Sequence, residues 1–322
     1  MSRYAQWSAA ILCCATLLPA HAQTYPNRAL RMIVPFPPGG PNDILGRVVS
    51  QKMSESMGHQ VVVDNRGGAG GIIGTEAAAK SAPDGYTLLL SGTAALSINP
   101  GLHARLPYDP IRDFTPLSLV ATAPSILIVH PALPAQTVKD VIAIAKKQPG
   151  QLNFASAGIG TPPHLAGELF KSMAGIAMTH IPYKGGGPAL TDLLAGQVEL
   201  YFSGISSALP MIRDGKVRAI AVTSQKRTAI MPDMPTVAEA GLPGYEVGNW
   251  YAILGPAGLP HDIVTRLNGE IIKALKAPDT HKRVLDLGAD PVGSPPEQLA
   301  AYTKAEIAKW AKVIKSAGIK PE

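Results

Sequence analysis

Val34-Pro35-Phe36-Pro37-Pro38-Gly39-Gly40-Pro41-Asn42-Asp43 closes the apolar run Leu30 to Phe36 and leads into Ile44, Leu45, Val48, Val49 and Met53, which are spaced for one helix face. Phe154-Ala155-Ser156-Ala157-Gly158-Ile159-Gly160-Thr161-Pro162-Pro163 has the same grammar and leads into His164 and Leu165. Strand, small-residue loop, helix is the unit of a parallel, doubly wound sheet, and such sheets bind ligands beyond the carboxyl ends of their strands. Two such units, far apart in one chain, predict two lobes of α/β architecture.

The rest of the chain extends both units. Strands at Gln60 to Asp64 and Thr87 to Leu90, with a helix starting near Ile72 between them, continue the first. After a long apolar segment from Leu117 to His130, helices centre on Val138-Val141-Ile142, Leu165-Leu169 and Leu190-Leu193-Leu194. Strands at Leu152 to Ala155, Met178 to Tyr183, Val198 to Phe202 and Val217 to Thr223 alternate with them. The tail holds one strand, Trp250 to Leu254, and helices from His261 to Lys276 and Pro295 to Ser316, too little for a domain of its own. It is therefore expected to complete a discontinuous first lobe, 23–122 plus 243–322, around a second lobe, 123–242. The crossings fall near Ala121 to Ser125 and within the Pro- and Met-rich stretch Gln225 to Gly244, and two crossings permit a hinge.

Residues 1–22 place Arg3 before an apolar run, Ala9 to Leu18, and end in Ala20-His21-Ala22, the pattern of a cleaved signal peptide. The run is short of the ~20 residues that span a bilayer, so a periplasmic protein is expected. Both cysteines, Cys13 and Cys14, lie in this leader, which leaves the mature chain without disulfides or thiolate chemistry. The net charge of +6 is scattered and aromatic content is 5%, which argues against nucleic acid. No HExxH, no GxxxxGK[ST] and no GxGxxG occurs, so neither metal nor cofactor is expected. Ser156 and Ser206 each lack one flanking glycine of a nucleophile elbow. An exported hydrolase or isomerase built on Ser156 and His164 is the alternative, and it needs those two side chains in contact.

The binding chemistry expected of the two loops lies in their helix starts. The first N–H groups of a helix lack intrahelical partners and carry partial positive charge, so an anion is held without a charged side chain. Ser156 and Thr161 read as ligand-facing hydroxyls. Gly39 and Gly40 permit close backbone approach or simply a tight turn. Asp43 reads more readily as a helix-start residue than as a ligand contact. His164 and Phe36 stand evenly between pocket and support. The glycine-rich stretch Asp64 to Gly71 reads as structural.

Six stretches carry a resemblance over nearly the whole mature chain: Pro35 to Asp43, Val63 to Gly71, Pro83-Asp84-Gly85-Tyr86-Thr87-Leu88, His164 to Phe170, Pro182-Tyr183-Lys184-Gly185 and Pro235-Thr236-Val237-Ala238-Glu239. In that order they resemble the Bug (Bordetella uptake gene) family, the TctC-like solute receptors of tripartite tricarboxylate transporters. The resemblance implies a type II periplasmic-binding-protein fold and a receptor for a small organic carboxylate, delivered to the transporter's membrane subunits without catalysis; a monomer is expected of a receptor that hinges. It also implies that the carboxyl group is held by backbone groups and water at Phe36, Gly39, Gly40 and Asp43 on one wall and at Ser156, Ala157, Gly158, Thr161 and His164 on the other. Ser91 and Thr93 are weaker candidates.

Overall fold

A computed structural model of the chain describes residues 25–183 and 186–319. The expected leader with Cys13 and Cys14, and Lys184 of the quoted motif, lie outside them. The first half opens with β1 (Leu30–Val34), α1 (Pro41–Met57), β2 (Val61–Asn65), α2 (Ile72–Ala79) and β3 (Thr87–Gly92). After β3 the chain turns through a π-helical segment, Ala94–Ile98, into α3 (Asn99–Leu102) and then enters β4 (Phe114–Val129). The second half continues with α4 (Val138–Lys147), β5 (Asn153–Ser156), α5 (Pro162–Ala174), β6 (Thr179–Pro182), α6 (Gly186–Leu194), β7 (Leu200–Gly204), α7 (Ile205–Arg213) and β8 (Arg218–Val222). The return adds β9 (Gly248–Pro256), α8 (His261–Lys276), α9 (Pro278–Asp286), β10 (Asp290–Pro291) and α10 (Pro296–Ser316).

The strand order is β2-β1-β3-β9-β4-β7-β5-β6, with β8 and β10 also pairing with β4. β1 pairs in parallel with β2 and β3, and β5 pairs in parallel with β6 and β7, as the two repeated units require. β4 and β9 are antiparallel to each other, so the sheets are mixed where the chain crosses. Phe114 to Pro124 of β4 pair with β9, and from Ser125 onward the partners are β7 and β8. Pro124 stands at the changeover, a place where a residue without an N–H does no harm to the ladder.

Thr223 holds the two crossings together. Its buried hydroxyl accepts from the Ser125 N–H at 2.9 Å and lies 2.9 Å from Ser125 O and within bonding reach of Val247 O. The chain steps back to the first sheet at Val247–Gly248, where the Val247 N–H donates to Thr223 O. The stretch expected to serve as a linker, Gln225 to Gly244, instead buries Val237 and Leu242 in the second half's core beside Phe154, Phe170 and Phe202. Met231 and Met234, partly buried, pack against the core around Ile126 and Val222.

The long C-terminal helix serves both halves. Leu299 of α10 packs with Ile33, Leu89 and Trp250 of the first, while Trp310, Val313 and Ile314 join the core of the second. Fully burying a side chain of this kind contributes about 1.5–3 kcal/mol, so α10 is a substantial third tie between halves. Its anchor is Glu306, buried and accepting from the Trp250 and Trp310 indole N–H groups at 3.1 Å each. No helix among the described residues is long and apolar enough to cross a membrane.

Candidate functional site

A cavity of about 680 Å³ opens between the halves. The first half contributes Phe36 from the β1–α1 loop, Ala69 and Gly70 ahead of α2, and Ala94, Asn99, Leu102 and His103 after β3. The second contributes Ile159, Gly160, Thr161 and Pro162 from the β5–α5 loop, and Ile319 after α10 closes the lining. The two quoted loops therefore meet across one space. The second loop also comes close to α3: a Cβ on Gly160, whose φ is +74°, would fall 2.6 Å from Leu102 Cδ1. Only a glycine takes that backbone conformation freely and admits that approach.

Of the candidate residues, Phe36 and Thr161 line the cavity. Gly39, Gly40, Asp43, Ser91, Thr93, Ser156, Ala157, Gly158 and His164 stand outside its lining. Several of them shape it from behind. The Asp43 carboxylate accepts from the Gly39 N–H at 2.9 Å and from Arg47 at 3.1 Å, and Arg47 reaches on to Asn65, which donates to Phe36 O. Burial opposes ionisation of Asp43, but the Arg47, Gly39 and Asn65 hydrogen bonds outweigh it and hold the carboxyl below its ordinary range. Thr93 accepts from the Trp250 N–H at 2.8 Å, tying β3 to β9. Ser91 is wholly buried, and its hydroxyl has no partner among the described residues.

Behind the second loop sits a histidine pair. Ser156 Oγ lies 2.6 Å from His180 Nε2 and accepts from the Gly158 N–H at 3.1 Å. His164 Nδ1 accepts from the Gly160 N–H at 3.1 Å, and its ring stacks on His180 at 3.9 Å. Burial, and then repulsion from His180 and from Lys171, push His164 down to about 4. Burial, followed by Lys171, does the same to His180, also to about 4. Both rings are neutral acceptors or donors that hold the loop in shape. The contact required by the hydrolase alternative, Ser156 with His164, is not formed, because Ser156 is engaged by His180. His180, on the short strand β6, was not legible as part of the site, since its neighbours in space come from β5 and α5. Among the described residues no group of three or more His, Cys, Asp or Glu gathers for a metal.

The helix starts carry fewer donors than the sequence suggested. Pro41 opens α1, and Pro162 and Pro163 open α5; proline has no N–H. Ile44 and Leu165 already donate to Gly40 O and Thr161 O. That leaves the N–H groups of Asn42, Asp43 and His164. Within the lining itself, Gly70 and Ala94 sit at helical starts, where N–H groups lack intrahelical partners. The loop Asp64 to Gly71, read as structural, thus reaches the cavity. Ala69 is left-handed there with φ +47°, the sole non-glycine of the described residues in that region. Such strain is characteristic of ligand-facing loops.

A mixed α/β fold in two halves, joined by paired crossings around a cavity, is the architecture of a two-lobed solute receptor. The family model described as tripartite tricarboxylate transporter family receptor matches residues 45–319. The chain belongs to this family. It is 41% identical to BugT of Bordetella pertussis, over 94% of this chain and 93% of that protein. It is 44% identical to a protein from the tcbD–tcbE intergenic region of Pseudomonas sp. strain P51, over 90% and 86%. Among solved structures it is similar to Rpa4515 of R. palustris with adipate, with a TM-score of 0.78 and 38% identity over 92% of this chain and all of that one. It is also similar to MatC of Rhodopseudomonas palustris with bound malate, with a TM-score of 0.73 and 34% identity over 90% and 100%.

Proposed function

We propose that this protein captures a small organic carboxylate in the cleft between its halves and hands it, unchanged, to the membrane subunits of a tripartite transporter. The observation that carries the reading is the meeting of Phe36 and Gly70 with Ile159, Gly160 and Thr161 around one cavity. Relatives solved with adipate and malate support the choice of ligand class. The carboxyl group is gripped by N–H groups and water, and Gly39, Gly40, Asp43, Ser156, Ala157, Gly158 and His164 act by holding the two loops in position. Ser91 and Thr93 act through the β3–β9 junction. The lobes divide at Pro124–Ser125 and Val247–Gly248, and closure follows because a ligand touching both walls prefers the closed form. The leader delivers the mature chain to the periplasm, where it works as a monomer.

The test is a thermal-shift panel of organic acids on the mature protein. A ligand raises the melting temperature with its concentration, as mass action requires, and is recovered chemically intact. A methyl ester that binds as tightly as its acid, or conversion of the ligand during incubation, refutes the reading.

A further inference from the structure

Resting on the carboxylate reading above, we propose that His180, which stands outside the cavity lining, is a positioning residue for the ligand: it holds both anchors of the β5–α5 loop and so keeps that loop in its binding shape before the ligand arrives. The loop gives Ile159, Gly160, Thr161 and Pro162 to the cavity. Two of its N–H groups are fixed by side chains from its ends. The Gly158 N–H donates to Ser156 Oγ at 3.1 Å, and the Gly160 N–H donates to His164 Nδ1 at 3.1 Å. His180 meets each of these side chains: its Nε2 lies 2.6 Å from Ser156 Oγ, and its ring stacks on His164 with 3.9 Å between centroids. One side chain on a third element thus governs both fixings.

Strand register puts His180 there. Phe154 of β5 pairs with His180 of β6, and Ser156, two residues on, presents its side chain on the same sheet face. The Phe154 ring backs the imidazole at 4.9 Å. Because His164 Nδ1 is an acceptor, the His164 proton sits on Nε2, 3.9 Å from Glu168 Oε1, and Glu168 is in turn paired with Lys171. Ser156 is wholly buried, so its hydroxyl, released from His180, turns to Gly158 O, 3.1 Å away, which the Thr161 hydroxyl already holds at 2.6 Å. Gly158 and Gly160, with φ of +129° and +74°, have other backbone conformations open to them once an anchor is disturbed. Apparent affinity then falls by the fraction of molecules that keep the binding shape.

His180→Phe keeps a ring against Phe154 and His164 and removes the nitrogen at Ser156, while His180→Gln returns a polar atom near that nitrogen's place. Calorimetry on the full mature protein, with adipate and malate as probes and well below the melting temperature, reads the outcome. The Phe variant is expected to bind about tenfold more weakly at an unchanged melting temperature, and the Gln variant to stay within about threefold of wild type. Ser156→Ala opens the same bond from the other partner and should weaken binding at least as much. In that background His180→Phe is expected to cost less than about twofold, because the bond it removes is already gone. Amide exchange of the unliganded protein is expected to be about tenfold faster at Gly158 and Gly160 in the Phe variant. Wild-type affinity in the Phe variant or in Ser156→Ala, an equal loss in the alanine background, or unchanged exchange at both glycines overturns the role of His180 and leaves the carboxylate reading standing. A wild-type protein that binds neither acid counts against the carboxylate reading, and the exchange measurement still decides whether His180 holds the loop.

Discussion

Replacing Glu306 isolates what α10 does for the molecule. Its carboxylate is buried, accepts both indole N–H groups at 3.1 Å and is ion-paired with Lys309. Glu306→Leu fills the space and leaves the Trp250 and Trp310 N–H groups, on side chains 1% and 0% exposed, without a partner. Each orphaned donor costs ~1–3 kcal/mol, so the variant is expected to lose about 2–6 kcal/mol. Set against a total stability of ~5–15 kcal/mol, that is a large fraction. Glu306→Gln keeps an acceptor oxygen for both indoles and loses only the charge assistance, about 1–2 kcal/mol. Equilibrium urea unfolding reads the difference through tryptophan fluorescence. The sequence has three tryptophans, and the two outside the leader are these two. A Leu variant that loses less than ~1 kcal/mol, or a Gln variant as damaged as the Leu variant, would show that the indoles do not depend on this carboxylate.

Thr223→Val keeps the shape of the buried side chain but removes the hydroxyl that joins Ser125 and Val247; it is expected to cost about 1–3 kcal/mol and to raise the radius of gyration of the unliganded protein in solution scattering. Gly160→Ala is expected to lower stability by about 1 kcal/mol through its left-handed backbone and, by meeting Leu102, to weaken binding about tenfold; Leu102→Ala in the same chain should restore affinity but not stability, and affinity left unrestored would place the strain elsewhere. The histidine pair makes the fold acid-sensitive: both rings titrate near 4 in the native state against an ordinary 6.5, so the unfolded chain takes protons first. Their contribution is whole above pH 6.5 and drains away as pH falls toward 4, on the order of 3 kcal/mol after allowance for solvent. Melting scans across that window should show a steep fall in wild type and a shallower one in His164→Gln, with Lys171 and Glu168 unchanged as the charged neighbours; parallel curves would refute the assignment.

The local signals in the chain were sufficient for most of the fold. Apolar periodicity and small-residue loops placed β1, α1, β5 and α5, and the family motifs named the two loops that meet at Phe36 and Thr161. Boundaries moved by a residue or two, and α9 and β10 went unread, although only β10, two residues long, lacks a local signature. What sequence reasoning assigned wrongly was set by contacts between distant segments. Gln225 to Gly244 looked like a linker because proline and glycine punctuate it, yet Val237 and Leu242 find a core that only the folded β5, α5 and β7 provide. The hydrolase alternative needs Ser156 against His164, nearby in sequence, whereas parallel pairing of β5 with β6 brings His180 to Ser156 from another strand. Asp64 to Gly71 reads as structural from its sequence, yet the β2–β1–β3 order carries Gly70 to the cavity wall. By itself, then, the sequence determined which segments are strands and helices, which loops lie at strand ends and which family the chain resembles, since these depend on residues within a few positions of one another. Which side chains share the cavity, how few N–H groups remain free there and where the chain turns back between halves were decided by tertiary structure alone, because each depends on surfaces that meet only after both sheets have formed.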